Sequence, residues 1–201
     1  MTTLYGTNTA NGTLTNACNF VATTGAAETS KTTTTSGANS WAEVLSQGGA
    51  FTDVSAIGSP SGKGWVYSPG SGTFATGNWS ASITLSSASR GVSAEVRFYK
   101  YSGGTYTAIG NITATITTTA KTTYSFAATS MSATTLGSSD LLYVDLWWFD
   151  NNSNASGDNP VVYVANSSTQ GVANDMQITT STFTASGTHL RIMDGYGGVF
   201  S

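Results

Sequence analysis

The chain has 201 residues, of which 35 are Thr, 28 are Ser and only 8% are charged, with a net charge of −3. Set against the roughly 25% charge of ordinary soluble domains, this demands a surface of hydroxyl groups rather than ions, suited to permanent hydrogen bonding with neighbours. The basic residues Lys31, Lys63, Arg90, Arg97, Lys100, Lys121 and Arg191 are scattered, which excludes a phosphate-neutralising stripe, and the longest apolar run, Leu141 to Phe149, is broken by Asp145 and too short to span a bilayer.

From the start of the chain, residues 1–40 are rich in Thr, Asn, Gly and Ala and carry little that fills a core; the stretch Thr32 to Ser36 has no large side chain at all. They are predicted to be an extended N-terminal arm with a strand near Leu4 or Phe20, and Leu4 and Tyr5 are its candidate contact residues. Deleting the arm is expected to leave a folded domain. Cys18, the single cysteine, has no disulfide partner and reads as a small buried residue. Ser40 to Leu45 is the one place where a helical turn is predicted.

Residues 41–201 are predicted to form a single antiparallel β-sandwich. The clearest strand is Asn78 to Ser86, where Trp79, Ala81, Ile83 and Leu85 alternate with Ser80, Ser82 and Thr84. In Val92 to Lys100, Val92, Ala94, Val96 and Phe98 alternate with Ser93, Glu95, Arg97 and Tyr99, and Ser102-Gly103-Gly104 then reverses the chain into Tyr106 to Ile109 as a hairpin. Strands follow at Asn111 to Thr118, Thr122 to Ala128, Leu141 to Phe149, Val161 to Ala165, Met176 to Ser181 and His189 to Asp194. Many short strands between Gly, Ser and Asn turns are the pattern of a sandwich or barrel.

Leu141 to Phe149 is the most informative of these. Leu142, Val144, Leu146 and Trp148 make an apolar face for the core, while Tyr143, Asp145, Trp147 and Phe149 make a second face of three aromatics around one carboxylate. That second face is read as an inter-subunit or arm contact, as ordinary internal packing, or as a glycan-stacking platform. On the first reading Trp148→Ala costs about 3–5 kcal/mol, while Trp147→Ala leaves the domain folded and weakens attachment to a neighbour or to the arm.

The loop Asp150 to Asp158 offers carboxylate and Asn oxygens suited to calcium. It lacks the EF-hand pattern, since Ala155 stands in the glycine position and Val161 in that of the bidentate Glu, so it is read as a polar turn without a metal. No catalytic residues, metal ligands or cofactors are assigned: the single histidine, His189, is predicted to point outward with Arg191 and Met193, and no acid pair sits in a recognisable motif. The sequons Asn78-Trp-Ser80 and Asn111-Ile-Thr113 matter only in a secreted eukaryotic protein.

The run Trp79-x-x-x-Ile83-x-Leu85, then Val92-x-x-Glu95-Val96-x-Phe98-Tyr99-Lys100 with its glycine turn, then Asp140 to Trp148, together with the Leu4-Tyr5 opening, resembles jelly-roll-like structural proteins of bacteriophage virions. The resemblance covers about 75 residues, rests on core patterning that carbohydrate-binding sandwiches share, and carries over no functional residues. It implies a jelly-roll sandwich in a capsid decoration or other virion surface or tail-associated subunit, partnered by itself and by other capsid or tail proteins. The alternatives are a carbohydrate-binding module or adhesin head on a host-surface glycan and, third, a glycan-cleaving enzyme. The first residues, Met1 to Gly6, are neither basic nor apolar enough for a signal peptide, so a virion subunit made in the host cytoplasm is expected, with an extracellular protein as the alternative.

Overall fold

A computed structural model describes residues 1–23, 28–35, 37, 39–87, 91–150, 159–164 and 176–187, with residues 91 and 92 by backbone alone. Its strands in chain order are β1 (Thr2–Ala10), β2 (Cys18–Val21), β3 (Thr29–Thr34), β4 (Ser40–Glu43), β5 (Gly49–Ala50), β6 (Trp65–Tyr67), β7 (Gly72–Phe74) and β8 (Gly77–Ser86). The second half contains β9 (Gly91–Ser102), β10 (Thr105–Thr115), β11 (Thr122–Met131), β12 (Thr134–Leu136), β13 (Leu141–Asp150), β14 (Val161–Val164), β15 (Met176–Thr180) and β16 (Phe183–Ala185). The protein is all-β, with no helix among the described residues.

Most strands join one sheet in the order β10-β9-β13-β6-β2-β1-β15-β8-β14-β3-β5, with β11 on the other edge of β8 and β4 beside β6 on β13. The sheet curls until β10 lies alongside β11, so a single apolar interior is enclosed. Strands β7, β12 and β16 form a small second sheet. The pairing is mixed rather than purely antiparallel, because β2 runs parallel to β6 and β3 parallel to β5.

The alternations that predicted the longer strands appear as burial. Trp79, Ala81, Ile83 and Leu85 of β8 face the interior with Val96 and Phe98 of β9 and with Leu142, Val144, Leu146 and Trp148 of β13. Two of the buried indoles find an acceptor: Trp79 Nε1 donates to Ser181 Oγ at 2.9 Å and Trp65 Nε1 to the Thr7 carbonyl at 3.2 Å. The β9–β10 hairpin closes through Gly103 and Gly104, whose φ values of 54° and 91° only glycine adopts without strain, so the sequence signal and the turn coincide.

The N-terminal segment departs from expectation. Residues 1–40 are not an arm laid outside the domain: β1 lies inside the sheet, pairing with β15 through Thr2 to Tyr5 and with β2 through Tyr5, Gly6 and Ala10. Leu4 and Cys18 are fully buried and Phe20 nearly so. Threonine is a good strand former, and strands inside a sheet need only one large side chain every second position; the sparse apolar pattern concealed this. Cys18 is buried as expected, and burial pushes its thiol pKa up, opposed by a hydrogen bond with Ser46 and by the charge of Lys31. Ser40 to Glu43, predicted as a helical turn, is strand β4, since its residues pair with Trp147 to Asp150 of β13. The strand predicted at His189 to Asp194, and the Asp150 to Asp158 loop beyond its first residue, lie outside the described residues.

Candidate functional site

The second face of β13 carries the concentration of chemistry that the sequence singled out, and the structure brings Tyr143, Asp145, Trp147 and Phe149 together there. Register supplies the neighbours. On one side β9 places Tyr99 opposite Tyr143, Arg97 opposite Asp145 and Glu95 opposite Trp147. On the other, β6 places Val66 opposite Tyr143, and β4 places Glu43 opposite Trp147 and Trp41 opposite Phe149.

This face is closed by the chain itself. Phe51 stands edge-on to Trp147 with ring centroids 5.6 Å apart, and Trp41 covers Phe149 at 5.1 Å. Tyr106 packs on Tyr143 at 5.0 Å, and Leu14 and Ala17 join the same cluster with Val66, Tyr99 and Leu141. Trp147 is therefore only 2% exposed, and Tyr143 and Asp145 are fully buried. Part of this cover comes from residues 1–40, but Leu4 and Tyr5 are elsewhere, in β1 opposite Ile178 and Gln177. The expectation that Trp147 could be removed without loss of folding is thereby corrected, because β13 is buried on both faces.

Beneath the aromatic cover sit two carboxyl groups. Glu43, also fully buried, starts opposite Trp147, yet its Oε1 lies 3.5 Å from the Tyr143 hydroxyl, so the side chain runs back past Asp145. The Tyr143 hydroxyl donates weakly to Glu43 and accepts from the Gly64 N–H at 2.9 Å. Glu43, Tyr143 and Trp147 all approach Asp145, but among the described residues none makes a well-formed hydrogen bond to it. Both Asp145 oxygens, Glu43 Oε2 and Trp147 Nε1 are left without partners. Burial pushes the pKa of Asp145 well up, with the adjacent Glu43 adding to the effect; burial likewise raises Glu43, against weaker opposition from Ser61, Asp145 and Lys63. The Tyr143 hydroxyl is raised by burial and then by Asp145, and Tyr106 is pushed up to about 12 by burial and by its neighbours Tyr101 and Asp145.

Gly64 fits this site because nothing larger can. A Cβ there would collide with the Val144 carbonyl oxygen and press on Asp145 Oδ1 and the Tyr143 hydroxyl, each 3.0 Å away. Gly64→Ala is expected to destabilise the protein by at least about 1–3 kcal/mol in a denaturant melt. Gly12→Ala, with nothing within 4 Å of the added carbon, should differ little; equal effects at the two positions would show that the Gly64 contact is not tight.

Sequence reasoning missed Glu43 and Gly64. Trp41, Glu43 and Leu45 alternate with Ala42 and Val44, a two-residue period that was available, but the stretch is too short to separate from a helical turn.

Near this face the surface is open. Arg97, Tyr99, Ala108, Gly110 and Asn111 line a shallow cleft of about 210 Å³, formed where a bulge in β10 between Ala108 and Gly110 lifts the strand from β9. Arg97 Nε is held by Glu95 Oε1 at 2.7 Å. A second cleft of about 390 Å³ lies between Thr107, Ala108 and Ile109 of β10 and the Ser132 to Thr135 stretch, with Lys100 at its side. No group of three or more metal-ligating side chains occurs among the described residues. No family model and no curated protein matches the chain.

Proposed function

We propose that the chain is a non-enzymatic structural subunit of a bacteriophage virion, a capsid decoration or other surface or tail-associated protein that stabilises the particle through contacts between subunits. The observation that carries this reading is the contrast between inside and outside. Among the described residues the aromatic side chains are spent largely on internal packing, Trp147 included, and the only large apolar side chains left exposed are Met1 and Val21. What remains outside is Thr, Ser, Ala and Asn along β10 and β11. Such a surface attaches through many weak hydrogen bonds rather than through an apolar hot spot. The jelly-roll connectivity implied by the resemblance belongs to this proposal, supported by one sheet curled around a single core.

Two further features favour the structural reading over an enzyme. Among the described residues the carboxyl pair Glu43 and Asp145 is fully buried, so no substrate reaches it, whereas glycoside cleavage needs both groups at the scissile bond. The second reading, binding of a host-surface glycan, is favoured by one feature alone: the cleft that sets Arg97 and Asn111 beside the Tyr99 ring. The test is mass spectrometry of particles purified from the source, alongside a glycan array of the recombinant protein. The proposal expects the chain as an abundant particle component and an empty array. Absence from the particle with a glycan signal lost in Arg97→Ala would replace it with the second reading.

A further inference from the structure

Two carboxyl groups enclosed together with three unpartnered oxygens need a positive partner, since an uncompensated buried charge is strongly destabilising. The surrounding charges indicate which partner it is. From β13, Tyr143 faces the pair as a neutral hydroxyl and Trp147 as an unpartnered N–H donor. From β9 come Glu95 and Arg97, bound to each other, and Tyr99; from β10 comes Tyr106. From the segment before β6 come Ser61 and Lys63, which act on Glu43. With every group ionised, Glu43, Asp145 and Glu95 oppose Arg97 and Lys63, leaving one negative charge in excess. One proton balances this charge. A divalent cation would overshoot it, and the described residues contain no third acidic, cysteine or histidine ligand to complete its shell.

We propose that Glu43 and Asp145 hold a single proton between them, forming an acid-favoured latch that fastens β4 and the Trp41–Phe51 cover onto β13. The proton sits on one carboxyl and is donated to the other, as in carboxyl pairs that cannot both ionise at close range. When it leaves, the two carboxylates repel across the β4–β13 pairing. Strand β4, paired with β13 through Ser40 to Glu43 and bridged on its other side only at Trp41–Val54, is the one that gives way, and Trp147 loses its cover.

The sign of the pH dependence follows from the direction of the shifts. Both carboxyls are raised on folding, so the folded protein binds more protons than the unfolded chain between the unfolded carboxylate range, about pH 4, and the raised folded value. The stability that the proton contributes is complete below that range and lost as pH rises through the folded value. Wild-type Tm should therefore fall by several degrees between about pH 5 and about pH 8. In Asp145→Asn and Glu43→Gln a carboxamide N–H replaces the proton at every pH, so their Tm should be nearly flat over this range and higher than wild type at its upper end.

Infrared spectroscopy of the wild type provides a readout that does not depend on whether the variants fold. A protonated-carboxyl stretch should persist at neutral pH, where ordinary carboxylates have ionised, and should be absent from either variant that folds. Absence of that band from the wild type at neutral pH, or a Tm that does not fall with pH, overturns the proposal. So does a rise in wild-type Tm with added calcium that Asp145→Asn abolishes, because the pair would then hold a metal ion. The experiment is independent of the particle in which the chain resides.

Discussion

Deleting residues 1–10 is expected to give a chain that does not fold. Strand β1 lies between β15 and β2, so its loss unpairs one edge of each and opens the shell. Leu4 goes with it, a fully buried side chain whose truncation alone ordinarily costs about 2–5 kcal/mol. Trp65 would lose the Thr7 carbonyl that accepts from its indole N–H. A buried donor or acceptor left unsatisfied costs about 1–3 kcal/mol. Together with the unpairing of β15 and β2, these losses are comparable to the whole stability of a typical domain, about 5–15 kcal/mol. Circular dichroism should show no cooperative melt. A truncated protein that keeps the wild-type near-ultraviolet spectrum and transition would mean that β1 is dispensable after all.

Trp147→Ala is expected to destabilise the protein about as much as Trp148→Ala, each by about 3–5 kcal/mol. The two side chains point to opposite faces of β13, as alternation requires. Trp148 packs in the main interior, while Trp147 packs under Phe51 and beside Glu43. Both are essentially buried, and both indole N–H groups lack a partner among the described residues, so neither removal is offset by a hydrogen-bonding difference. Paired urea melts decide the matter. If Trp148→Ala is severely destabilised while Trp147→Ala melts like the wild type, the outer cover of β13 carries little energy and the face is free for a partner.

The same strand shows how far the sequence could be read. The inward faces of β8 and β9 were legible because each alternates apolar residues with mostly polar ones, that of β13 because Leu142, Val144, Leu146 and Trp148 form an unbroken apolar set, and the hairpin because two adjacent glycines permit a turn that few other residues tolerate. The outward face of β13 was legible as unusual, with cover by the arm or by internal packing among its readings, but not which residues cover it. Its cover comes from Trp41, Phe51, Leu14 and Tyr106, residues distant in sequence whose approach is fixed only by the tertiary path. The arm was misread for a related reason. Threonine gives no hydrophobic period, and strand pairing through backbone groups is indifferent to side chains, so β1, β2 and β3 left almost no trace beyond Leu4 and Phe20. Glu43 was hidden because four residues of strand shortly before a Ser46–Gln47 turn have no period long enough to recognise.

The central claim is that this chain serves by being held among other subunits. Electron cryomicroscopy of the particle from its source tests that most directly. The account predicts repeated copies of the fold at symmetry-related positions, touching their neighbours through the hydroxyl-rich faces of β10 and β11, with Trp147 still under Phe51 of its own chain. A particle without the chain, or copies standing free of neighbours with a saccharide seated beside Arg97, Tyr99 and Asn111, would contradict it.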